Sequence, residues 1–127
     1  FASGFTARMA ALKVGPGLDD GVDVGPLVNA STRDKVKQLV DEAVSMGATI
    51  RTGGKCPLDV GYFYEPTVLD NIPKGAEILT TEIFGPVAAL VSFDDVDDMV
   101  KTANDTHLGL ATMCIGSGQG IATIIER

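Results

Sequence analysis

The chain has 127 residues, the size of one ordinary domain, with 45% hydrophobic and 21% charged residues. That balance is globular rather than disordered. A formal net charge of -7 and a pI near 4.4 set the surface against nucleic-acid phosphates and anionic lipid, so neither is expected as a partner. Mean hydropathy is +0.21, yet the apolar stretches are short and broken by Gly, Asp and Pro, so no membrane span is expected. No basic segment followed by an apolar core is found, so no signal peptide is read. Cys56 and Cys114 are too few for a disulfide framework or a zinc site, which points to reduced thiols and a cytoplasmic setting.

Phe1, Phe5, Met9 and Leu12 recur at the spacing of one helix face, and Gly15-Pro16-Gly17 is expected to end that helix. The opening on Phe1 and the helix-like close at Ile124 to Arg127 both read as cut edges, so a piece of a longer polypeptide is expected. The segment LDDGVDVGPLVNA, from Leu18, is rich in Gly and Asp and reads as a long surface loop. Ser31 is the expected N-cap of the next helix, with Asp34 completing a capping box. Val36, Leu39, Val40, Ala43 and Val44 form its apolar stripe, and Gly47 stops it in the C′ position.

Ala48 to Arg51 is a short strand candidate, turned by Gly53-Gly54. YFYEPTVLDNI, from Tyr62, has strand propensity, and Pro66 places it at a sheet edge or a bulge. Val87 to Phe93 is a near-continuous apolar run, the mark of a buried strand. Asp94-Asp95 open a helix lined by Val96, Met99, Val100 and Ala103. Asn104 to His107 reads as a turn, Leu110 to Ile115 as another buried strand, and Gly116 to Gly120 as the turn into a last helix. Alternating strands and helices give the class α/β, a three-layer sheet with helices on both faces.

The local motifs weigh little alone. Gly116-Ser117-Gly118-Gln119-Gly120 follows a strand and opens a helix, where a dinucleotide loop would sit. Its third glycine falls one place early, with Ile121 where Gly or Ala is wanted, so a plain turn is the better reading. Thr52 to Cys56, TGGKC, lacks the upstream glycine spacing of a P-loop. The run Asp94 to Asp98 lacks the Gly and distal Glu of a calcium loop and reads as helix capping, so no metal site is expected. Cys114 reads as an inert core thiol. Cys56 has Lys55 beside it, but the only histidine, His107, carries no local signature of a nucleophile pair. Glu82 and Phe84, in TEIFGPV, read in isolation as a surface acid and a core ring.

Five blocks in one order change that reading: ALKVGPGLDDGVDVGPLVN, GATIRTGGK, GYFYEPTVLDNI, TEIFGPVAALVSFD and ANDTHLGLAT. Together they resemble the aldehyde dehydrogenase superfamily over essentially the whole chain. The resemblance implies NAD(P)-dependent oxidation of an aldehyde to a carboxylic acid through a cysteine thioester. It also gives Glu82 the hydroxyls of the nicotinamide ribose and Phe84 the border of the nicotinamide ring, with NAD or NADP as cofactor. Neither Cys56 nor Cys114 matches the family's Gly-Gln-x-Cys nucleophile block.

Residues 1–127 are therefore expected to be a partial catalytic-domain segment, without a catalytic residue and inactive alone. The Rossmann domain, the nucleophile region and the oligomerisation tail would lie outside it. His107-Leu108 stand where many relatives carry a Glu-Tyr-like pair, and the glycine turn at 116–120 is unusual for the family. The expected partners are a small aldehyde, the missing parts of the same polypeptide, and further copies in a homo-oligomer. GATIRTGGK and its neighbours are compatible with a succinate-semialdehyde dehydrogenase-like member. The rival expectation is a non-catalytic interaction module descended from such an enzyme, since positive mean hydropathy favours association.

Overall fold

The computed structural model describes residues 1–95, 97–98 and 100–101. The chain divides into two compact units, Phe1–Val91 and Ser92–Arg127. In the second, the described residues open a helix. The Asp95 carboxylate accepts the Asp98 N–H at 2.9 Å, which is the capping role expected for the acidic run. The expected strand at Leu110–Ile115, the glycine turn at 116–120, and with them His107 and Cys114, lie outside the described residues.

The first unit begins with α1, Ala2–Ala10. The Phe1 and Phe5 rings stack with centroids 5.5 Å apart, as the four-residue spacing requires. The helix ends at Ala10 and not at Gly15, because its next backbone groups are taken elsewhere. Ala11 and Leu12 donate to the carbonyls of Arg8 and Met9, tightening the last turn. Lys13 N–H then donates to the Asp23 carboxylate at 2.9 Å, and the Lys13 carbonyl accepts from both Asp23 and Val24 N–H. The expected surface loop is thus closed at its base, with a Val14–Val24 bridge and a fully exposed Leu18 near its tip.

The second helix, α2, spans Ala30–Met46. Its N-cap is Asn29, not Ser31. Asn29 is extended (φ −163°, ψ 176°), and its side-chain oxygen accepts the Thr32 N–H at 2.8 Å. The expected box partner Asp34 instead pairs with the neighbouring Arg33. At the other end Gly47 has φ 118°. Gly47 N–H donates to Val44 O and Ala48 N–H to Ala43 O, the paired bonds of a Schellman stop with glycine at C′. Val36, Leu39, Val40 and Ala43 are buried as the stripe foretells, whereas Val44 is exposed.

Three strands follow in spatial order: β1 Thr49–Thr52, β2 Thr67–Asp70 and β3 Val87–Ala89. β1 pairs antiparallel with β2 (Thr49 opposite Asp70) across a register shift between Ile50 and Thr52. β3 runs parallel to β2, with Thr67 opposite Val87. β2 is therefore central, and all four of its residues are buried. Of the edge or bulge expected from Pro66, the edge is overturned, while a register irregularity does lie alongside, in the facing strand β1. The proline stands one residue before the strand, where its missing N–H removes no ladder bond. β3 is short and only half-buried, against the fully buried strand expected from its apolar run.

The core joins the α2 stripe to Tyr64, Leu69, Ile72, Ala76 and Ile78, with Leu27, Ile83, Val87 and Ala89 packed against it. Full burial of a Val or Leu side chain, as at Val36, Val40 and Leu69, contributes about 1.5–3 kcal/mol. The Gly53-Gly54 turn has positive φ at both residues, and Gly54 N–H is committed to the Thr67 hydroxyl at 2.8 Å. It is a turn, as expected, and not a phosphate cradle. The first unit is α/β, with one three-stranded sheet.

Candidate functional site

TEIFGPV is the connection between a short 3-10 turn, Glu77–Leu79, and β3. Glu77 N–H donates to the Glu42 carboxylate of α2 at 3.3 Å, and Thr81 N–H returns to the Glu77 carbonyl at 2.9 Å. The chain then straightens. Ile83 packs on the core, while Glu82 is exposed and Phe84 is 58% exposed. The isolated reading of Phe84 as a core ring is therefore wrong, and Glu82 is a surface acid as that reading had it.

Phe84 has φ 56°, a conformation that costs a bulky L-residue roughly 1–2 kcal/mol. The next two residues fix its exit. Gly85 lies so close to α2 that a Cβ there would sit 2.7 Å from a Val36 methyl. Val87 N–H donates to the Gly85 carbonyl at 2.8 Å, turning the chain tightly about Pro86. The Pro86 carbonyl in turn accepts the Thr67 N–H at 2.8 Å. On the other side of Phe84, Lys35 Nζ of α2 donates to the Glu82 carbonyl at 2.9 Å.

The loop thus offers a carboxylate beside an exposed aromatic ring, on a backbone fixed at several points. The Glu82 carboxylate has no hydrogen-bond partner among the described residues. Such a pair can accept two hydrogen bonds from vicinal hydroxyls and present a flat apolar surface next to them. Lys35, Val36 and Thr67 were not legible as parts of this loop. Lys35 is 47 residues from Glu82, and no local signal links them.

The other candidates do not join this site. Cys56 is an exposed free thiol. Among the described residues no group of three His, Cys, Asp or Glu side chains is placed to hold a metal. No described helix is long and apolar enough to cross a membrane. The clearest electrostatic perturbation lies in the core. Burial pushes the Tyr64 hydroxyl well above the ordinary tyrosine range, with Asp41, Cys56 and Glu65 adding to the shift. On the surface of α2, hydrogen bonding to Asp41 raises the pKa of Lys37.

Comparison with known proteins gives one consistent result. The model of the aldehyde dehydrogenase family matches residues 1–125. A succinate-semialdehyde dehydrogenase [NADP(+)] of Mycobacterium avium is 47% identical over 113 residues, covering 88% of this chain and 24% of the relative. A glutarate-semialdehyde dehydrogenase of Pseudomonas putida is 42% identical over 112 residues, covering 88% of this chain and 23% of the relative. The solved succinate-semialdehyde dehydrogenase of Burkholderia pseudomallei superposes with a TM-score of 0.80 at 38% identity, over 84% of this chain and 22% of that one. The chain spans about a quarter of the length of the curated relatives it matches.

Proposed function

The chain belongs to the aldehyde dehydrogenase family, and from that premise we propose that it serves as the cofactor-facing part of a catalytic domain in an NADP- or NAD-dependent semialdehyde dehydrogenase. The substrate class is a short aldehyde carrying a carboxylate, succinate semialdehyde first. The names of the relatives at 42–48% identity support this reading. The observation that carries it is the Glu82–Phe84 pair, a carboxylate without a hydrogen-bond partner among the described residues and an exposed ring on a fixed backbone.

In this reading the Glu82 carboxylate accepts hydrogen bonds from the two hydroxyls of the nicotinamide ribose, and Phe84 limits the swing of the nicotinamide ring. The cofactor supplies hydride acceptance, and this chain supplies position. Glu82 and Phe84 suit that group: one accepts from vicinal hydroxyls, the other offers a flat apolar face. No residue of the chain is assigned as nucleophile or base, so the isolated chain is inactive. The three-layer sheet, the homo-oligomer and the cytoplasmic setting belong to the complete enzyme.

The test uses a chimaera in which this chain replaces the matched segment of the Mycobacterium avium relative. Two charge-assisted bonds lost from a partly solvated site set an expected rise of about tenfold to a hundredfold in KM for NADP, or an equal fall in kcat, on Glu82→Ala. Unchanged kinetics would remove the role. Aldehyde and NADP added to the isolated chain should give no NADPH absorbance above buffer.

The second reading, a non-catalytic interaction module, draws on the exposed Leu18, Val28 and Val60. A single defined oligomer in light scattering, with an inactive chimaera, would favour it.

A further inference from the structure

The segment between β1 and β2 contains a closed loop tied to α2. Glu65 N–H donates to the Lys55 carbonyl at 2.9 Å, which closes its base. Its far side is held twice. Leu27 N–H donates to the Tyr62 carbonyl at 2.8 Å, and the Arg33 guanidinium to the Gly61 carbonyl at 3.4 Å. Compact loops with their ends together are frequently functional. Cys56, the first residue inside the closure, presents an exposed free thiol. Tyr64, the last residue inside it, is 1% exposed, its side chain in the core with Val36, Leu39 and Val40.

The Tyr64 hydroxyl is buried and has no hydrogen-bond partner among the described residues. Orphaned hydroxyls of this kind are rare in folded chains and call for a missing partner. The closing bond sets Cys56 and Tyr64 side by side, one following its acceptor residue and the other preceding its donor. Burial first, then Asp41, Cys56 and Glu65, keeps the phenol protonated, so it is a donor without an acceptor. Two cations, Arg33 and Lys37, lie one helical turn apart on α2. Each is held protonated chiefly by its bond to a carboxylate, Asp34 or Asp41, and Cys56 adds to the effect on both. The thiol, the orphaned phenol and the two cations thus form one cluster at the loop's base.

We propose that Cys56 is a redox-modification site: a hydroperoxide oxidises its thiol to a sulfenic acid whose oxygen accepts the Tyr64 O–H, and a carboxylate-bearing thiol then caps it as a mixed disulfide. In the first step Sγ attacks the peroxide, an S–O bond forms and the O–O bond breaks. Sulfur is oxidised by two electrons, the peroxide is reduced by two, and the thiol proton leaves with the departing oxygen. In the second step the incoming sulfur displaces the sulfenic oxygen. An S–S bond forms, the S–O bond breaks, and the oxygen departs as water with the incoming thiol's proton. Tyr64 contributes a hydrogen bond to the added oxygen and gives up no proton. Arg33 and Lys37 draw in the carboxylates of the capping thiol. None of these residues belongs to the loop of Glu82 and Phe84, so the inference is independent of the cofactor reading.

The test treats the 127-residue chain with hydrogen peroxide as oxidant and glutathione as capping thiol. Cys56 and Cys114 fall on separate tryptic peptides, divided at Lys74 and Lys101, so mass spectrometry reads each thiol in one sample. Dimedone should trap a sulfenic acid on the Cys56 peptide about fivefold faster or more than in the urea-unfolded chain. Equal rates would overturn the site, and this arm needs no variant. Tyr64→Phe should shorten the life of the sulfenic acid about fivefold, while iodoacetamide alkylates Cys56 at a rate within about twofold of the unaltered chain. An unchanged lifetime would refute the hydrogen bond, and so would a matching rise in alkylation, the mark of a loosened loop. Arg33→Gln with Lys37→Gln should slow capping by glutathione about fivefold, and capping by uncharged 2-mercaptoethanol by less than about twofold. Equal slowing with both thiols, or a disulfide between two copies of the chain in place of the mixed disulfide, would sink the capping step.

Discussion

Replacing Gly85 by alanine isolates the close approach on which the site is built. Gly85 is not among the residues with left-handed backbone, so alanine can adopt its conformation and the effect is one of space. The added Cβ would lie 2.7 Å and 3.2 Å from the two methyls of Val36. Carbon contacts are comfortable at about 3.5–4.0 Å, so something must yield by about 1 Å. Val36 cannot easily do so. It is fully buried among Leu39, Val40 and their neighbours, and a β-branched side chain in a helix has one strongly preferred rotamer. The connection carrying Glu82 and Phe84 must therefore lift.

Overpacking of this kind costs about 1–3 kcal/mol. Alanine returns about 0.4–1 kcal/mol by restricting the unfolded chain. The net expectation is a loss of about 1 kcal/mol in urea unfolding of the 127-residue chain, with an unchanged m-value. Val36→Ala alone costs more, about 2 kcal/mol, through the cavity it leaves. The two changes together should cost less than their sum by about 1 kcal/mol, because removing the methyls makes room for the new Cβ. Additivity within about 0.5 kcal/mol would refute the contact, since independent sites add to that precision.

Two further predictions concern the fold around the site. Asn29→Ala should destabilise the chain by about 1 kcal/mol, the ordinary value of an N-cap, while Ser31→Ala stays within about 0.5 kcal/mol; the reverse order in urea titrations would return the cap to Ser31. Tyr64 makes the fold sensitive to alkali. Its hydroxyl is held above the usual value, so as pH rises past about 10 the unfolded chain releases this proton first, and stability falls by about 1.4 kcal/mol per pH unit. Below that range the contribution is fully present. Tyr64→Phe should flatten the decline in a pH series of denaturant titrations, whereas the exposed Tyr62, changed to Phe, should leave it intact.

Some of this architecture was legible because it obeys local rules. The α2 stripe follows helical period, and Gly47 follows from the need for positive φ where that helix stops. Other boundaries failed for reasons no window contains. Ser31 with Asp34 fits a capping box as well as any pair. The choice fell to Asn29 because its extended backbone brings its oxygen to the Thr32 N–H. The early end of α1 is set by Asp23, ten residues beyond Lys13. The apolar run after Pro86 says nothing about what covers it, and among the described residues β3 pairs with β2 alone. Glu82 and Phe84 were legible only as part of a family block. Their anchors, Lys35, Val36 and Thr67, become neighbours only once α2 and the sheet are packed.

Phe84 itself supplies the last step. Two residues other than glycine have positive φ among those described, Asn71 and Phe84. Asn71 explains itself locally. Asparagine tolerates this conformation, and its side-chain amide donates to Thr49 Oγ1 and Asp70 Oδ1. Phe84 has no such local reason. Its ring cannot hydrogen-bond to stabilise the turn, and more than half of it stays in water, so the fold gains little burial from the strain. A backbone cost of roughly 1–2 kcal/mol with an exposed ring is unfavourable for the fold on both counts. It persists because the flanking residues are fixed independently: Glu82 by Lys35, Ile83 by the core, Gly85 by Val36, and Pro86 by the Thr67 N–H. Stability in this region is spent on holding a ring outward beside a carboxylate, an arrangement that suits the cofactor-bordering role proposed for the pair.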